Sequence, residues 1–452
     1  MPTFLLLFLM AAGAPANSQE PDLRKLFAKT SGLIVLPAGI VEVSSELRIP
    51  DGATDLEVRG HPEGTVLRAG GNFNGRAVLA CGSGKNLRFA GFTIDGNRAQ
   101  LEAPMGIAPY DVPFARFYPN NGLLAEDVQG LRIENVTFRQ ITNFAVLISA
   151  SRDVLINGVK IESSGSRNEK GRNNTSGGIL LEEGTADFQV ERCTLHGVRG
   201  NGIWTHSRAK SPRNQRGLIR GNSFRDIARD AIQVGHASGV HVEDNSGSHI
   251  GYPVSVVDVE GGGVPVAIDT AGIVDGSVYS GNHFEEVNGK CIDLDGFHSG
   301  AVRKNVCVNR GRAEDYPSGN FGIVMNNTNP GMESEDIEVT ENLIDGSKFG
   351  AIFVIGRGHV IRGNRFLNLN LARCNENAAK FGCLYNPSEP DLLRSGIYLA
   401  RKAERNAETR KNTIENNVVS GWNMKTHCIV AAPGVQLSDQ QIAENECRDG
   451  EP

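Results

Sequence analysis

Three aspartates near the middle of the chain have the residue type and spacing for proton-transfer chemistry. Asp269 and Asp293 lie in consecutive apolar segments, and Asp295 follows two positions after Asp293. Two neighbouring carboxyl groups can divide the cleavage of a glycosidic bond between them. One protonates the leaving oxygen, and the other activates water or attacks the anomeric carbon. This chemistry requires a fold that brings residues 269 and 293 together.

A recurring asparagine predicts such a fold. An apolar residue, two variable positions, Asn, one variable position and usually another apolar residue recur, with several neighbouring occurrences 22 or 23 residues apart. The repeated residues are Asn222, Asn245, Asn282, Asn305, Asn342, Asn364, Asn417 and Asn445, and Val136, Val159 and Cys193 occupy the same slot. This period fits one coil of a β-solenoid, in which equal positions stack about 4.8 Å apart. A leucine-rich repeat also has a periodic Asn, but it requires Leu at fixed positions where this chain uses Ile, Val, Phe and Leu freely.

A second periodic pattern predicts which side chains leave the solenoid. One strand per coil carries an inward Ile or Val, and the residues that follow it alternate in direction. The inward column is Val146, Ile179, Ile203, Ile232, Ile268, Ile292, Ile323, Ile352, Ile397 and Ile429. The first outward column is then Leu147, Leu180, Trp204, Gln233, Asp269, Asp293, Val324, Phe353 and Tyr398. The second outward column is Ser149, Glu182, His206, Gly235, Ala271, Asp295, Asn326 and Ile355.

The two columns place the three acids on one face. Asp269 and Asp293 are expected about 4.8 Å apart on adjacent coils, and Asp293 and Asp295 about 6.5–7 Å apart along one strand. Like charges this close repel, so one carboxyl group should hold a proton or a cation should lie between them. Acids that are simply solvated at the surface are the alternative.

Insertions between the strands are expected to wall this face as a groove. They fall at 162–177, 206–217, 246–265, 308–320, 327–336, 367–394 and 401–411. The candidate substrate-binding residues are Trp204, His206, Gln233, His236, His298, Asn326, Phe353, Arg357 and Tyr398. The aromatic members suit sugar rings, or they pack under a covering loop. Two loops are basic, which suggests an anionic glycan or only a solvated surface; their cations are Arg167, Lys170, Arg172, Arg208, Lys210, Arg213 and Arg216.

The ends and the cysteines indicate an exported protein. Residues 1–16 have the apolar stretch and small-residue cleavage site of a signal peptide. Residues 17–32 would form a linker and capping helix, with the helix at 21–31, and residues 33–452 one parallel β-helix domain. Of eight cysteines, Cys374–Cys383 and Cys428–Cys447 are the expected disulfides, whereas Cys193 and Cys307 fit simple core positions. The predicted location is therefore secreted or periplasmic.

The composition argues against two classes of partner. A net charge of −6 provides no global basic field for nucleic acid. After the signal peptide no segment is apolar enough to cross a membrane. The oligomeric state is left open.

The segments Leu36-Pro37-Ala38-Gly39-Ile40-Val41 and Phe92-Thr93-Ile94-Asp95-Gly96-Asn97 are typical of carbohydrate-active β-helices. With the repeat, they make the chain resemble the right-handed parallel β-helix, pectin-lyase-like superfamily. The resemblance implies an all-β, single-stranded right-handed parallel β-helix that acts on a polysaccharide or oligosaccharide.

Two enzyme classes of this superfamily bear on the reaction. The chain resembles polygalacturonases only loosely, since Asp269, Asp293, Asp295 and His298 are present but the adjacent Asp-Asp, Gly-His-Gly and Arg-x-Lys are not. In a calcium-dependent uronate lyase or epimerase the three acids would bind calcium and Arg357 would be the base. No outward-column Lys or Arg occurs between Trp204 and Phe353, so we expect a glycoside hydrolase without cofactor. A glycan-binding β-helix is the non-enzyme alternative.

Overall fold

The asparagine repeat and the apolar alternation fold into a parallel β-helix. The computed structural model describes residues 20–258, 263–326, 329–403 and 405–450, so the predicted signal peptide lies outside the described residues. Every strand pairs in parallel with its counterparts in the neighbouring coils. Each regular coil contributes one strand to each of three faces, named here the site face, the second face and the ladder face. The predicted solenoid is thus confirmed.

The strands of each face are short, and a few long strands continue around a bend. The site face contains part of β4 (Thr65–Gly82), then β7 (Asn121–Glu126), β10 (Val146–Ser149), β13 (Ile179–Glu182), β16 (Ile203–His206), β19 (Ile232–Glu243), β21 (Val266–Asp275), β24 (Lys290–Asp293), β28 (Phe321–Val324), β31 (Ile352–Val354), β34 (Ile397–Leu399) and β37 (Ile429–Ala431).

The second face follows in each coil. It contains β1 (Gly32–Val35), β3 (Thr54–Arg59), β5 (Lys85–Ala90), β8 (Gln129–Glu134), β11 (Arg152–Asn157), β14 (Ala186–Glu191), β17 (Asn214–Arg220), β22 (Val278–Ser280), β25 (Phe297–His298), β26 (Ala301–Arg303), β29 (Glu338–Thr340), β32 (Val360–Arg362), β35 (Thr413–Glu415) and β38 (Gln441–Ala443).

The ladder face completes the coil after the asparagine bend. It contains β2 (Gly39–Arg48), β6 (Thr93–Asp95), β9 (Thr137–Arg139), β12 (Lys160–Glu162), β15 (Thr194–Val198), β18 (Ser223–Ile227), β20 (Ser246–Ile250), β23 (His283–Val287), β27 (Val306–Val308), β30 (Leu343–Asp345), β33 (Arg365–Leu369), β36 (Val418–Gly421) and β39 (Glu446–Asp449).

The repeated asparagines form one continuous ladder at the bend between the second face and the ladder face. From Asn222 to Asn445, each Nδ2 donates to the Oδ1 of the next asparagine at 2.8–3.0 Å. The same Oδ1 accepts the backbone N–H of the preceding asparagine. The ladder therefore satisfies backbone groups that this bend would otherwise bury without partners.

Among the described residues, four short helices accompany the strands: α1 (Glu20–Leu26), α2 (Arg98–Leu101), α3 (Phe114–Phe117) and α4 (Cys374–Phe381). Leu23 of α1 and the following Phe27 are buried against the first coils, as expected for a cap. In the same part of the chain, 3₁₀ turns lie at Val254–Val256, Ala313–Asp315 and Leu437–Asp439. No helix among the described residues is long and apolar enough to cross a bilayer.

Three disulfides lie in the C-terminal half. Cys374–Cys383 and Cys428–Cys447 form as predicted. Cys307 was expected to be a simple core residue, but it bonds to Cys291 across the interior. Cys81 and Cys193 are free and buried, and burial raises the pKa of each thiol to about 12.

Candidate functional site

The pairing register of the site face places Asp269 and Asp293 as the sequence predicts. Ile232 pairs with Ile268, and Ile268 with Ile292. These isoleucines face the core, so Gln233, Asp269 and Asp293 point outward in successive coils. The two carboxyl groups therefore occupy adjacent positions of one column.

A third aspartate, absent from the predicted column, joins this pair. Asp230 lies two residues before inward Ile232, and Ala231 between them also faces the core. The coil bends at this point, so simple alternation fails and both Asp230 and Gln233 leave the solenoid on the same side. Exposure is 2% for Asp230, 9% for Asp269 and 6% for Asp293. These acids are buried and do not fit the alternative of freely solvated surface charges.

Burial and mutual repulsion favour the protonated form of Asp269. Burial, then Asp230, then Asp293 raise the pKa of Asp269 well above its usual value. Burial also raises the pKa of Asp230 to about 6, although the neighbouring Arg229 opposes this shift. Asp269 is therefore the carboxyl group of the cluster whose protonated form is most favoured.

Lys290 adds a positive charge beside Asp293 and corrects the expectation that no outward Lys or Arg lies here. It stands two residues before inward Ile292, in the same bend position as Asp230, and its ammonium group donates to Asp293 Oδ2. Burial disfavours the charged ammonium, but Asp293, Asp269 and Asp295 together outweigh this effect and raise the pKa of Lys290. Burial raises the pKa of Asp293 as well, although Lys290 opposes this shift. The ion pair with Lys290 therefore favours the ionised form of Asp293.

A chain of amides orients Asp269. Asn201 Nδ2 donates to Gln233 Oε1 at 2.6 Å, and Gln233 Nε2 donates to Asp269 Oδ2. Because Oδ2 accepts from an amide, Oδ1 is the oxygen of Asp269 that is available to carry a proton. Oδ1 of Asp293 is also buried and has no hydrogen-bond partner among the described residues.

Asp295 is not the third outward acid on the strand. Strand β24 ends at Asp293, and Asp295 lies half-buried in the turn that follows. Its negative charge contributes to the raised pKa of Lys290. The expected spacing of two residues along one extended strand is wrong because the chain turns after Asp293.

An open cleft of about 740 Å³ begins beside the acids and extends toward the C-terminal coils. Lys290, Phe321, Val324 and Phe353 contribute to its floor, and Asn326 lies at its edge. Its walls come from Gly319, residues 385–393 and residues 402–403. Val264 also lines it, so four of the predicted wall loops contribute to the cleft, those at 246–265, 308–320, 367–394 and 401–411. The volume lies within the roughly 300–1,000 Å³ of small-ligand sites.

Trp204 and His206 are not available to a ligand in this cleft. The Phe114 ring covers both, with ring centroids 5.1 Å from Trp204 and 4.6 Å from His206. Burial lowers the pKa of His206 to about 4. Of the two interpretations open for the aromatic column, packing under a covering loop is therefore the correct one for Trp204.

Of the remaining predicted binding residues, Phe353 lines the cleft and the others lie outside it. Phe353 stacks on Tyr398 at 6.1 Å, whereas Tyr398 is buried and donates to Glu389 Oε2 at 2.8 Å. His236 lies at the bend before the second face, where its Nδ1 accepts the backbone N–H of Ile273 at 3.1 Å, and His298 lies in β25 of the second face. Arg357 is exposed at another bend, and its Nη2 is 2.9 Å from Glu335 Oε2.

The basic loop at 206–217 is largely neutralised within the protein. Arg208 pairs with Glu183, Arg213 with Asp275, and Arg216 with Asp187. This loop therefore offers no strong field for an anionic ligand, contrary to one interpretation of its sequence.

The acid cluster does not have the ligand set of a metal site. Among the described residues, no three or more His, Cys, Asp or Glu side chains are grouped to hold a metal ion. The Lys290 ammonium already pairs with Asp293. Calcium binding by Asp269, Asp293 and Asp295 is thus not favoured.

Comparisons with known proteins agree with the architecture. The model of the right handed beta helix region matches residues 111–267. No curated protein matches the chain. The crystal structure of PfbA, a surface adhesin of Streptococcus pneumoniae, is similar with a TM-score of 0.52 and 13% identity, over 89% of this chain and 84% of that chain. A hyperthermoactive exopolygalacturonase from Thermotoga maritima gives a TM-score of 0.51 and 12% identity, over 75% of this chain and 84% of that chain.

The identities are low, so these likenesses concern the fold alone. The protein has the fold of a right-handed parallel β-helix.

Proposed function

We propose that the protein is a secreted polysaccharide-active enzyme, a glycoside hydrolase that uses Asp269 and Asp293. The observation that carries this proposal is the stacking of Asp269 on Asp293, the latter paired with Lys290, beside an open cleft. Environments that push two carboxyl pKa values apart assign the acid and the base. The disulfides fit an oxidising extracellular compartment.

The proposed reaction adds one water molecule across a glycosidic bond. Asp269 gives its proton to the leaving oxygen as the bond to the anomeric carbon breaks. Asp293 either takes a proton from the attacking water or first bonds to the anomeric carbon and is then released by water. In both cases the hydroxyl group of water ends on the anomeric carbon.

Lys290 and the amide chain are positioning groups in this scheme. Lys290 keeps Asp293 ionised, and Gln233 holds Asp269 Oδ2 so that Oδ1 carries the transferable proton. A lyase would need a neutral base to remove a carbon-bound proton. The raised pKa of Lys290 keeps its ammonium group protonated, which favours hydrolysis over elimination.

A glycan-binding protein is the competing proposal, because one of the structural neighbours is an adhesin. Such a protein would use the cleft aromatics without needing a proton donor. It would bind glycans equally well after loss of the acid.

A panel of neutral and acidic polysaccharides tests these alternatives. New reducing ends without ultraviolet absorbance from unsaturated uronate support hydrolysis. Reducing ends with that absorbance would show a lyase. Glycan binding without either product, measured by affinity electrophoresis, would support the adhesin-like alternative.

A further inference from the structure

The groove around the acid cluster is open on one side and closed on the other. Toward the C-terminal coils it continues as the cleft described above. Toward the N-terminal coils it meets three segments, residues 105–118, 168–175 and 253–258, which together are named the N-terminal wall.

The first segment of the wall packs directly on the outward column. Phe114, Ala115 and Tyr118 bury Leu147, Leu180 and Trp204 in an apolar cluster outside the solenoid; the cluster also contains Ala77, Ala80, Ala108, Leu124 and Phe144. Glu182, itself fully buried, accepts the backbone N–H groups of Phe114 and Ala115 at 2.8 and 2.9 Å. This anchoring fixes the segment over the coils that precede the acids.

Hydrogen bonds join the second segment to the first. Tyr118 Oη lies 3.0 Å from Thr175 Oγ1. Asn174 Nδ2 donates to the carbonyl oxygens of Met105 and Gly106 at 2.8 and 2.9 Å. The two segments therefore form one continuous surface.

Asn173 connects the second segment to the third and to the coil of the acids. Its backbone N–H donates to Val256 O at 2.7 Å, and its Oδ1 accepts from the backbone N–H of Asp258 at 2.7 Å. Its Nδ2 donates to Ala228 O at 3.2 Å, two residues before Asp230. The wall therefore reaches the coil that carries Asp230 and Gln233, immediately before Asp269.

From this geometry we infer that the enzyme acts on the ends of glycan chains and releases short products from them. An internal stretch of polymer must pass the acids in both directions, but the N-terminal wall occupies the path on one side. A chain end can lie in the C-terminal cleft with its terminal unit against the wall. This inference rests on the proposed hydrolase function and specifies its substrate as a chain terminus.

The test measures viscosity and reducing ends together on the polysaccharide that the enzyme degrades. We expect reducing ends to accumulate while viscosity falls little, with one short product size present from the earliest time point. A rapid fall in viscosity at low conversion, with a ladder of product sizes, would overturn chain-end action and leave the hydrolase proposal intact.

Two controls separate the possible failures. The Asp269→Asn variant should release the short product about 10²–10⁴-fold more slowly, which excludes a contaminating enzyme as its source. If the wild-type protein releases no reducing ends from any polysaccharide, the hydrolase proposal fails, and the inference of chain-end action fails with it.

Discussion

At the scale of single residues, the sequence placed Asp269 and Asp293 correctly but missed the two groups that define their charge states. Asp230 and Lys290 stand two positions before the inward isoleucine. The residues directly before the inward isoleucines, namely Ala231, Ala267 and Cys291, also face the core. Alternation assumes an extended strand, and it fails where the chain bends. A small residue before each inward isoleucine was the available signal for this bend.

The burial of Asp230 predicts a pH-dependent stability. Its pKa rises from 3.8 to about 6 on folding, so between these values the folded protein holds a proton that the unfolded chain has lost. Stability from this group is therefore present below pH 3.8 and is lost as pH rises to about 6. Asp230→Asn retains the acceptor for the Val266 N–H, which Asp230 Oδ1 binds at 3.0 Å, but removes the titration.

Thermal unfolding of the wild-type and Asp230→Asn proteins across this pH range measures the effect. We expect the melting temperature of the variant minus that of the wild type to increase from pH 4 to pH 6. Above pH 6 this difference should stay constant. A difference that stays constant or falls with pH would contradict the assigned shift.

At the scale of elements, the asparagine ladder was predictable because each coil repeats the same bend. The long insertions were less predictable, since their paths depend on contacts between distant segments such as Asn173 with Val256. The sequence located most of the loops that line the cleft. It could not show that residues 105–118 cover Trp204, because no repeat constrains that segment.

Removing one ladder member should destabilise the protein measurably. Asn305 Oδ1 accepts from the backbone and side chain of Asn282, and its Nδ2 donates to Tyr279 O and to Asn342. Asn305→Ala leaves buried polar groups without partners, at a cost of about 1–3 kcal/mol in the free energy of unfolding.

Urea denaturation of the variant measures this cost. Asn406→Ala, at an exposed asparagine outside the ladder, is the matched control and should change stability little. Equal stabilities of the two variants would contradict the role assigned to the ladder.

At the scale of the whole molecule, the disulfides divide the solenoid into two halves. All three lie between residues 291 and 447, while the N-terminal half has only the free Cys81 and Cys193. Coils in a solenoid contact only their neighbours, so local changes in stability need not spread evenly. We expect reduction to lower the stability of the C-terminal coils selectively.

Hydrogen exchange with and without reductant measures this asymmetry. Protection should fall across the strands after residue 290, and much less in β5 to β17. A uniform loss of protection along the chain would show that the solenoid unfolds as a single unit.

The central claim concerns the proton on Asp269, and Asp269→Asn tests it best. Asn resembles the protonated carboxyl group in size and charge and can still accept from Gln233, so the fold should be retained. Asp293→Asn is less suitable, because it removes the buried partner of Lys290 and is expected to be destabilising.

The decisive measurement is the rate at which reducing ends form with wild type, Asp269→Asn and Asp127→Asn, the last being a control at an exposed aspartate. Wild type and the control should release reducing ends equally. Asp269→Asn should be slower by about 10²–10⁴-fold, the usual contribution of a general acid, with an unchanged melting temperature. Full activity of a correctly folded Asp269→Asn protein would contradict the account.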